Sequence, residues 1–299
     1  MNLQAANEFM PYKAHSFSLS DAEKTHSNKL NYIDEGDGKV LICVHGNPTW
    51  SFYFRNVIEH FSKKMRVIAF DHLGCGLSDH PQDYPYTLSN HIKNFENLVK
   101  GLKIEKASLL LHDWGGAIGL GFAVKYPEMV ENTIIMNSAA FLSRDIPKRI
   151  SLCKTPLVGE MLMRRFNAFA LAASFMATSK GLEPKAKEGL LFPYNSYHNR
   201  IGIARFVQDI PYFSSHPSYE TLKQIERDLG NLQAPMQFLW GAKDFCFHLG
   251  FLEKWKTLFP TAESIVFPEG GHYLLEDETQ AVLAAMERFL FKDEYRRTH

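Results

Sequence analysis

The chain predicts an α/β fold, a mostly parallel sheet flanked by helices with an inserted helical lid. Three observations predict it. Short continuous apolar runs alternate with helix-period stretches up to about residue 138, the pattern of parallel strands buried on both faces and joined by crossover helices. Between 139 and 220 that alternation stops, and the chain becomes rich in Met, Phe and Ala. Strand and helix patterns then resume. The expected division is 1–138 and 221–299 for the sheet and its helices, with 139–220 as the lid.

Each element has a local reason. Residues 15–19 and 29–34 predict two short strands, the second ended by the turn Gly36-Asp37-Gly38. The β-rich run 40–44 predicts a fully buried strand, and 52–61 follows at helical spacing. Residues 66–70 predict another buried strand, leading into a glycine-bearing loop, 71–79. Thr87 is placed to cap a helix whose apolar residues, Ile92, Phe95, Leu98, Val99 and Leu102, recur at three and four. A strand at 109–111, a helix at 117–126 and a strand at 133–136 complete the first half. In the lid, Pro184, Pro193, Pro211 and Pro217 break helices. Most of Met161, Met163, Phe166, Phe169, Phe175 and Met176 are expected to form the lid's own core, with a fraction facing the cleft beneath and making it apolar. Strands at 235–240 and 262–267, a helix at 249–258 and a final helix at 278–291 close the chain, whose last residues are charged and expected to fray.

Composition excludes several function classes. Lysines plus arginines and aspartates plus glutamates number 33 each, which gives no electrostatic case for nucleic acid. The first 13 residues lack the pattern of a secretory signal, and no apolar run is long enough to span a bilayer. Nor is any helix distinctly basic and amphipathic. Cys43, Cys75, Cys153 and Cys246 are scattered without pair spacing, so they read as reduced thiols of a cytoplasmic protein rather than as metal ligands.

The chemistry is expected at Leu109-Leu110-Leu111-His112-Asp113-Trp114-Gly115-Gly116. An apolar strand that turns sharply into a helix presents one side chain at the top of a sheet, the nucleophile elbow of α/β-hydrolases. Here that side chain is Asp113, which would form an ester with its substrate. Taken alone, the same residues fit a buried strand followed by an Asp helix cap. Asp244 and His272 also lie just past strand ends, where α/β sheets place ligands. The order nucleophile, acid, histidine matches this fold. The strand before the lid ends in Met136-Asn137-Ser138 without a carboxylate, which leaves Asp244 to orient His272 and balance its charge. Asn47 and Trp114 can offer donors to an anion that develops in the reaction. Turn chemistry before Pro48 and core packing are their bland alternatives. His45 and His112 read as supporting groups, Asp71 as a residue that holds its loop, and Arg205 with Asp209 as an i, i+4 ion pair.

At these residues the sequence resembles the haloalkane dehalogenase superfamily of α/β-hydrolases, over nearly its whole length. The matching blocks are 45–50, 71–79, 112–116 and Gly271-His272-Tyr273. The combination of Asp113, Asp244, His272, Asn47 and Trp114 is that of its third subfamily. Three further blocks, 47–53, 205–211 and 240–247, look like the β-lactone decarboxylases of bacterial long-chain olefin biosynthesis. One departure is Leu111, two residues before the nucleophile, where serine hydrolases have Gly. The resemblance implies conversion of a cis-dialkyl β-lactone to a cis-alkene and carbon dioxide without metal or cofactor. It also implies association with a β-lactone synthetase and a reductase of the same pathway. The alternative is a haloalkane dehalogenase, in which Asn47 and Trp114 bind halide and His272 activates water. An epoxide hydrolase would need lid tyrosines, for which Tyr194, Tyr197 and Tyr212 are candidates.

Overall fold

The computed structural model of the chain describes residues 8–19, 27–155 and 157–292. The expectations for the first residues, through 7, and for the charged end, from 293, lie outside the described residues. Eight strands form one sheet in the order β1-β2-β4-β3-β5-β6-β7-β8. They are Ala14–Ser18 (β1), Lys29–Glu35 (β2), Val40–Val44 (β3), Arg66–Phe70 (β4), Ala107–Asp113 (β5), Val130–Ser138 (β6), Met236–Gly241 (β7) and Glu263–Phe267 (β8). β1 and β2 pair antiparallel at one edge. The other six strands run parallel.

The strand runs are continuously apolar because both faces are covered. Ile42, Val44, Leu109 and Leu111 point into one core with Phe95, Leu98 and Ile118 from the helices Leu88–Gly101 and Trp114–Lys125. Leu41, Cys43, Leu110 and Leu239 point into the other, with Val57, Phe61, Val282 and Met286 from Arg55–Phe61 and Thr279–Leu290. The predicted helix at 52–61 is a 3-10 turn, Ser51–Phe54, running into Arg55–Phe61. Thr87 does cap its helix, with Oγ1 accepting from the Asn90 N–H.

β3 connects to β4 on one side of itself, and β5 lies on the other side. The chain therefore reverses direction across the sheet between β3 and β5. A crevice opens outside the carboxyl ends of strands at such a point. Two of the predicted site residues, Asn47 and Asp113, lie at or just past those two strand ends.

Between β6 and β7 every regular element among the described residues is helical, including Lys148–Cys153, Ala168–Met176, Pro184–Leu191 and Ile201–Gln208. Pro184 starts its helix rather than breaking one. Two expectations fail in this segment. Arg205 and Asp209 do not pair. Arg205 reaches Gln208 and Glu160, while Asp209 accepts from the Leu88 N–H at 2.7 Å and from the Ser218 hydroxyl. The open N-terminus of Leu88–Gly101 outcompetes the half-buried Arg205 guanidinium for that carboxylate. Nor do most of the six Met and Phe residues form a core. Met163 packs with Ile150, Ala204 and Val207, and Phe169 lies against that cluster, but Met161, Phe166, Phe175 and Met176 are exposed. The helices there are short, and each leaves part of its surface open to solvent.

Candidate active site

β5 ends at Asp113, whose backbone sits at φ 52°, ψ −126°. That conformation costs a non-glycine residue about 1–3 kcal/mol, so the surroundings must impose it. They do so by close packing. A Cβ on Gly115 would come within 2.0 Å of the Val44 carbonyl oxygen, and one on Gly46 within 2.1 Å of Asp113 Oδ1. The Ser138 hydroxyl donates to the Asp113 carbonyl. Leu111 fits in place of the usual glycine because Gly119 faces it: a Cβ there would lie 2.2 Å from Leu111 Cδ2.

The Asn47 backbone N–H donates to Asp113 Oδ1 at 2.6 Å. Oδ2 faces His272 Nε2 at 3.7 Å, beyond hydrogen-bond length. Burial raises the Asp113 carboxyl above its ordinary value, opposed by the His272 ring and by the N–H groups of Asn47 and Trp114. The carboxylate therefore keeps one oxygen tied and one available.

His272 follows β8, and its Nδ1 meets Asp244 Oδ2 at 2.8 Å. Asp244, just past β7, accepts from the N–H groups of Cys246 at 2.6 Å and Phe247 at 3.0 Å. Burial pushes its carboxyl up, but the His272 ring and these N–H groups outweigh it and hold it below the ordinary range. Burial likewise works against a charged His272. The Asp244 carboxylate outweighs it, with help from Asp113, and the ring titrates above its usual value.

The structure thus brings Asp113, Asp244 and His272 together, with Asn47 and Trp114 beside them. Asn47 differs from expectation in one respect. Its side-chain amide donates to the Ile203 carbonyl at 3.2 Å, which leaves one of its two hydrogens for a ligand. Trp114 packs against Phe206 at 5.4 Å between ring centroids, and its indole N–H has no protein acceptor among the described residues. His45 joins the ends of β3 and β4: its Nε2 accepts from the His72 N–H at 3.0 Å. Asp71 accepts from the N–H groups of Ser51 and Leu77 and so holds its loop.

Two supporting residues were not assigned these roles from the sequence. Asn137, at φ 39°, donates to Asp244 Oδ2 at 2.9 Å and takes the Gly241 N–H on its Oδ1. Its only sequence signal was the missing carboxylate at the end of β6. His112 donates from Nε2 to the His272 carbonyl at 2.9 Å. Burial and the nearby His272 ring hold His112 down to about 3, so it is a neutral donor.

Above Asp113 lies a cavity of about 610 Å³. Its walls are apolar, with Phe141, Ile150, Phe169, Ala172, Val207 and Phe247 among them. Tyr194, Tyr197 and Tyr212 do not line it, and the Tyr194 hydroxyl donates to the Thr49 carbonyl. The lid donors that epoxide opening needs are therefore not in place. Among the described residues no group of three His, Cys, Asp or Glu is arranged to hold a metal ion.

Residues 39–279 match the family profile described as alpha/beta hydrolase fold. The chain is 39% identical over 295 residues to a cis-3-alkyl-4-alkyloxetan-2-one decarboxylase of Shewanella oneidensis, covering 95% of this chain and 90% of the relative. It is 33% identical to the decarboxylase of that name from Xanthomonas campestris pv. campestris, covering 94% and 98%. Haloalkane dehalogenase 2 of Mycobacterium tuberculosis is 27% identical, covering 87% and 91%. In structure, a putative ancestral haloalkane dehalogenase superposes with a TM-score of 0.85 over 94% of this chain and 99% of the other, at 24% identity. The chain belongs to the α/β-hydrolase family, on the branch that holds the cis-3-alkyl-4-alkyloxetan-2-one decarboxylases beside the haloalkane dehalogenases.

Proposed function

We propose that this protein is a β-lactone decarboxylase, a carbon–carbon lyase that converts cis-3-alkyl-4-alkyloxetan-2-ones to cis-alkenes and carbon dioxide. The observation that carries the reading is the near full-length similarity to two decarboxylases of that name. An Asp carboxylate at the floor of an apolar cavity supports it.

The free oxygen of Asp113 attacks the ring carbon that bears the lactone oxygen, from the face opposite that oxygen. The carbon–oxygen bond of the ring breaks, and its electron pair leaves on a carboxylate. The second hydrogen of the Asn47 amide and the Trp114 indole N–H hold that anion. The bond from the neighbouring ring carbon to the carboxylate then breaks, its electrons form the alkene, and the Asp113 ester oxygen leaves with its own pair. Carbon dioxide departs and Asp113 is restored. Inversion followed by anti elimination keeps the cis relation. A charged His272, supported by Asp244 and 3.7 Å from Asp113 Oδ2, stabilises the carboxylate as it leaves.

In this reading 139–220 acts as a lid over the core formed by 1–138 and 221–299. The helix Tyr219–Asp228 crosses that boundary and packs Leu222 and Ile225 into the core. The enzyme works in the cytoplasm, where its four free thiols are stable. A β-lactone synthetase and a ketone reductase of the same pathway are its working partners.

The test offers the purified protein a cis-dialkyl β-lactone and, separately, a long-chain 1-iodoalkane. Alkene formation abolished by Asp113→Ala, with at most one burst of iodide per site, is the expected outcome. Sustained iodide release without alkene would instead establish the dehalogenase alternative. Solvent oxygen-18 retained in Asp113 after lactone turnover would rule out the water-free cycle.

A further inference from the structure

Part of the segment between β6 and β7 turns apolar side chains to solvent. Leu157, Val158, Met161, Phe166, Leu171 and Phe175 are all exposed, Leu157 at 86%, Phe175 at 68% and Phe166 at 58%. None of the six lines the cavity. Single exposed apolar residues are ordinary, but six carried on or beside the mutually contacting elements Val158–Glu160, Met161–Arg165 and Ala168–Met176 mark an interaction surface.

The exposed charge of this segment is one-sided. Between Arg144 and Glu188 the exposed basic residues are Arg144, Lys148, Arg149, Arg165, Lys180 and Lys185, against the exposed carboxylates Asp145, Glu183 and Glu188, in a chain whose total is balanced. The two features interleave. The Lys187 ammonium stands 3.7 Å from the Phe175 ring centroid. Arg149 reaches the Met176 sulfur at 3.1 Å and lies over the Phe245 ring at 4.9 Å. Arg149, Leu152 and Met176 are exposed and also line the cavity, so the cavity mouth opens beside this surface.

We infer that this lid surface docks on an anionic phospholipid bilayer, with the cavity mouth turned toward the lipid. Apolar side chains enter the acyl boundary while lysine and arginine meet the headgroups. A second copy of this chain fits less well, because a two-fold contact would set one basic rim against another. The surface is assembled from several short helices, which is why no single amphipathic helix announces it in the sequence. The inference goes beyond the lactone reading, since docking would serve any substrate that partitions into lipid.

The experiment is co-sedimentation of the full chain with vesicles of equal parts phosphatidylglycerol and phosphatidylcholine, beside vesicles of phosphatidylcholine alone. The wild type is expected to bind the anionic vesicles more tightly, and to lose much of that binding at about 0.5 M salt. The combined variant Leu157→Asp, Phe166→Asp, Phe175→Asp is expected to bind at least about tenfold more weakly. Its turnover of a short-chain, water-soluble β-lactone should match the wild type. Arg144→Glu with Lys148→Glu keeps the apolar residues and serves if the first variant does not fold. It too should lose affinity for anionic vesicles. Absence of wild-type binding, or equal binding by a folded variant, would overturn the inference. So would self-association in sedimentation velocity that the variant abolishes while vesicle binding is absent. Lactone turnover is read separately, so failure of docking leaves the proposed activity standing.

Discussion

The side-chain amide of Asn137 meets Asp244 Oδ2 at 2.9 Å, the same oxygen that bonds His272 Nδ1 at 2.8 Å. A residue on β6 thus orients the carboxylate that follows β7, and the carboxylate orients the histidine that follows β8.

Asn137→Ala removes this donor and leaves the Gly241 N–H without its acceptor. A lost buried partner of this kind costs about 1–3 kcal/mol, so thermal unfolding should shift down. Weaker support of Asp244 should also lower kcat on the lactone more than it changes KM. An unchanged kcat would remove Asn137 from the positioning of His272.

The sign of the pH dependence separates the two chemistries. The folded His272 titrates above its usual value, and Asp244 is the main cause that raises it. If a charged His272 stabilises the departing Asp113, kcat falls as pH rises through the folded value. Asp244→Asn should move that fall to lower pH. The dehalogenase route needs the neutral ring as base, so its rate would rise with pH over the same window. The same linkage acts on stability. A raised histidine contributes fully below its unfolded value, and the contribution is lost as pH rises through the folded one. A pH series on kcat and on thermal unfolding checks both.

Trp114→Phe keeps a ring against Phe206 and deletes the indole N–H. If that N–H holds the released carboxylate, kcat should fall by about 10²–10³, as for loss of one preorganised donor, while folding stability changes little. Single-turnover kinetics on the lactone would read this. A loss confined to KM would mean that Trp114 serves only as cavity wall.

Gly119→Ala places a methyl group 2.2 Å from Leu111 Cδ2. Overpacking at such a site costs about 1–3 kcal/mol. In a Leu111→Gly background the same Gly119→Ala change should cost much less, because the side chain it meets is gone. Denaturant unfolding of the two single variants and the double variant measures the coupling, and additive effects would show that the two side chains do not share the space.

Most of the architecture was legible because it is local. Runs such as Leu41-Ile42-Cys43-Val44 can only be satisfied by a strand with both faces covered, and breakers mark where each ends. Asp113 was legible because a strand, an acidic residue and two glycines in succession leave few other geometries. Asp244 and His272 were legible by their places after strands.

The remainder depends on which distant segments meet. Local patterns specify the elements, their kinds and the three residues of the candidate machinery. The packing of distant segments puts β5 beside β3, so that the Asn47 N–H reaches Asp113 from 66 residues away in the chain. It gave Asp209 to the Leu88 N–H instead of to Arg205, because an open helix end lies nearer than local spacing can reveal. It made Asn137 a bridge across two strands, and it left Leu157, Phe166 and Phe175 uncovered. A pattern of apolar residues states which side chains avoid water, whereas their cover is set by what packs above them, and these three side chains stay open to solvent.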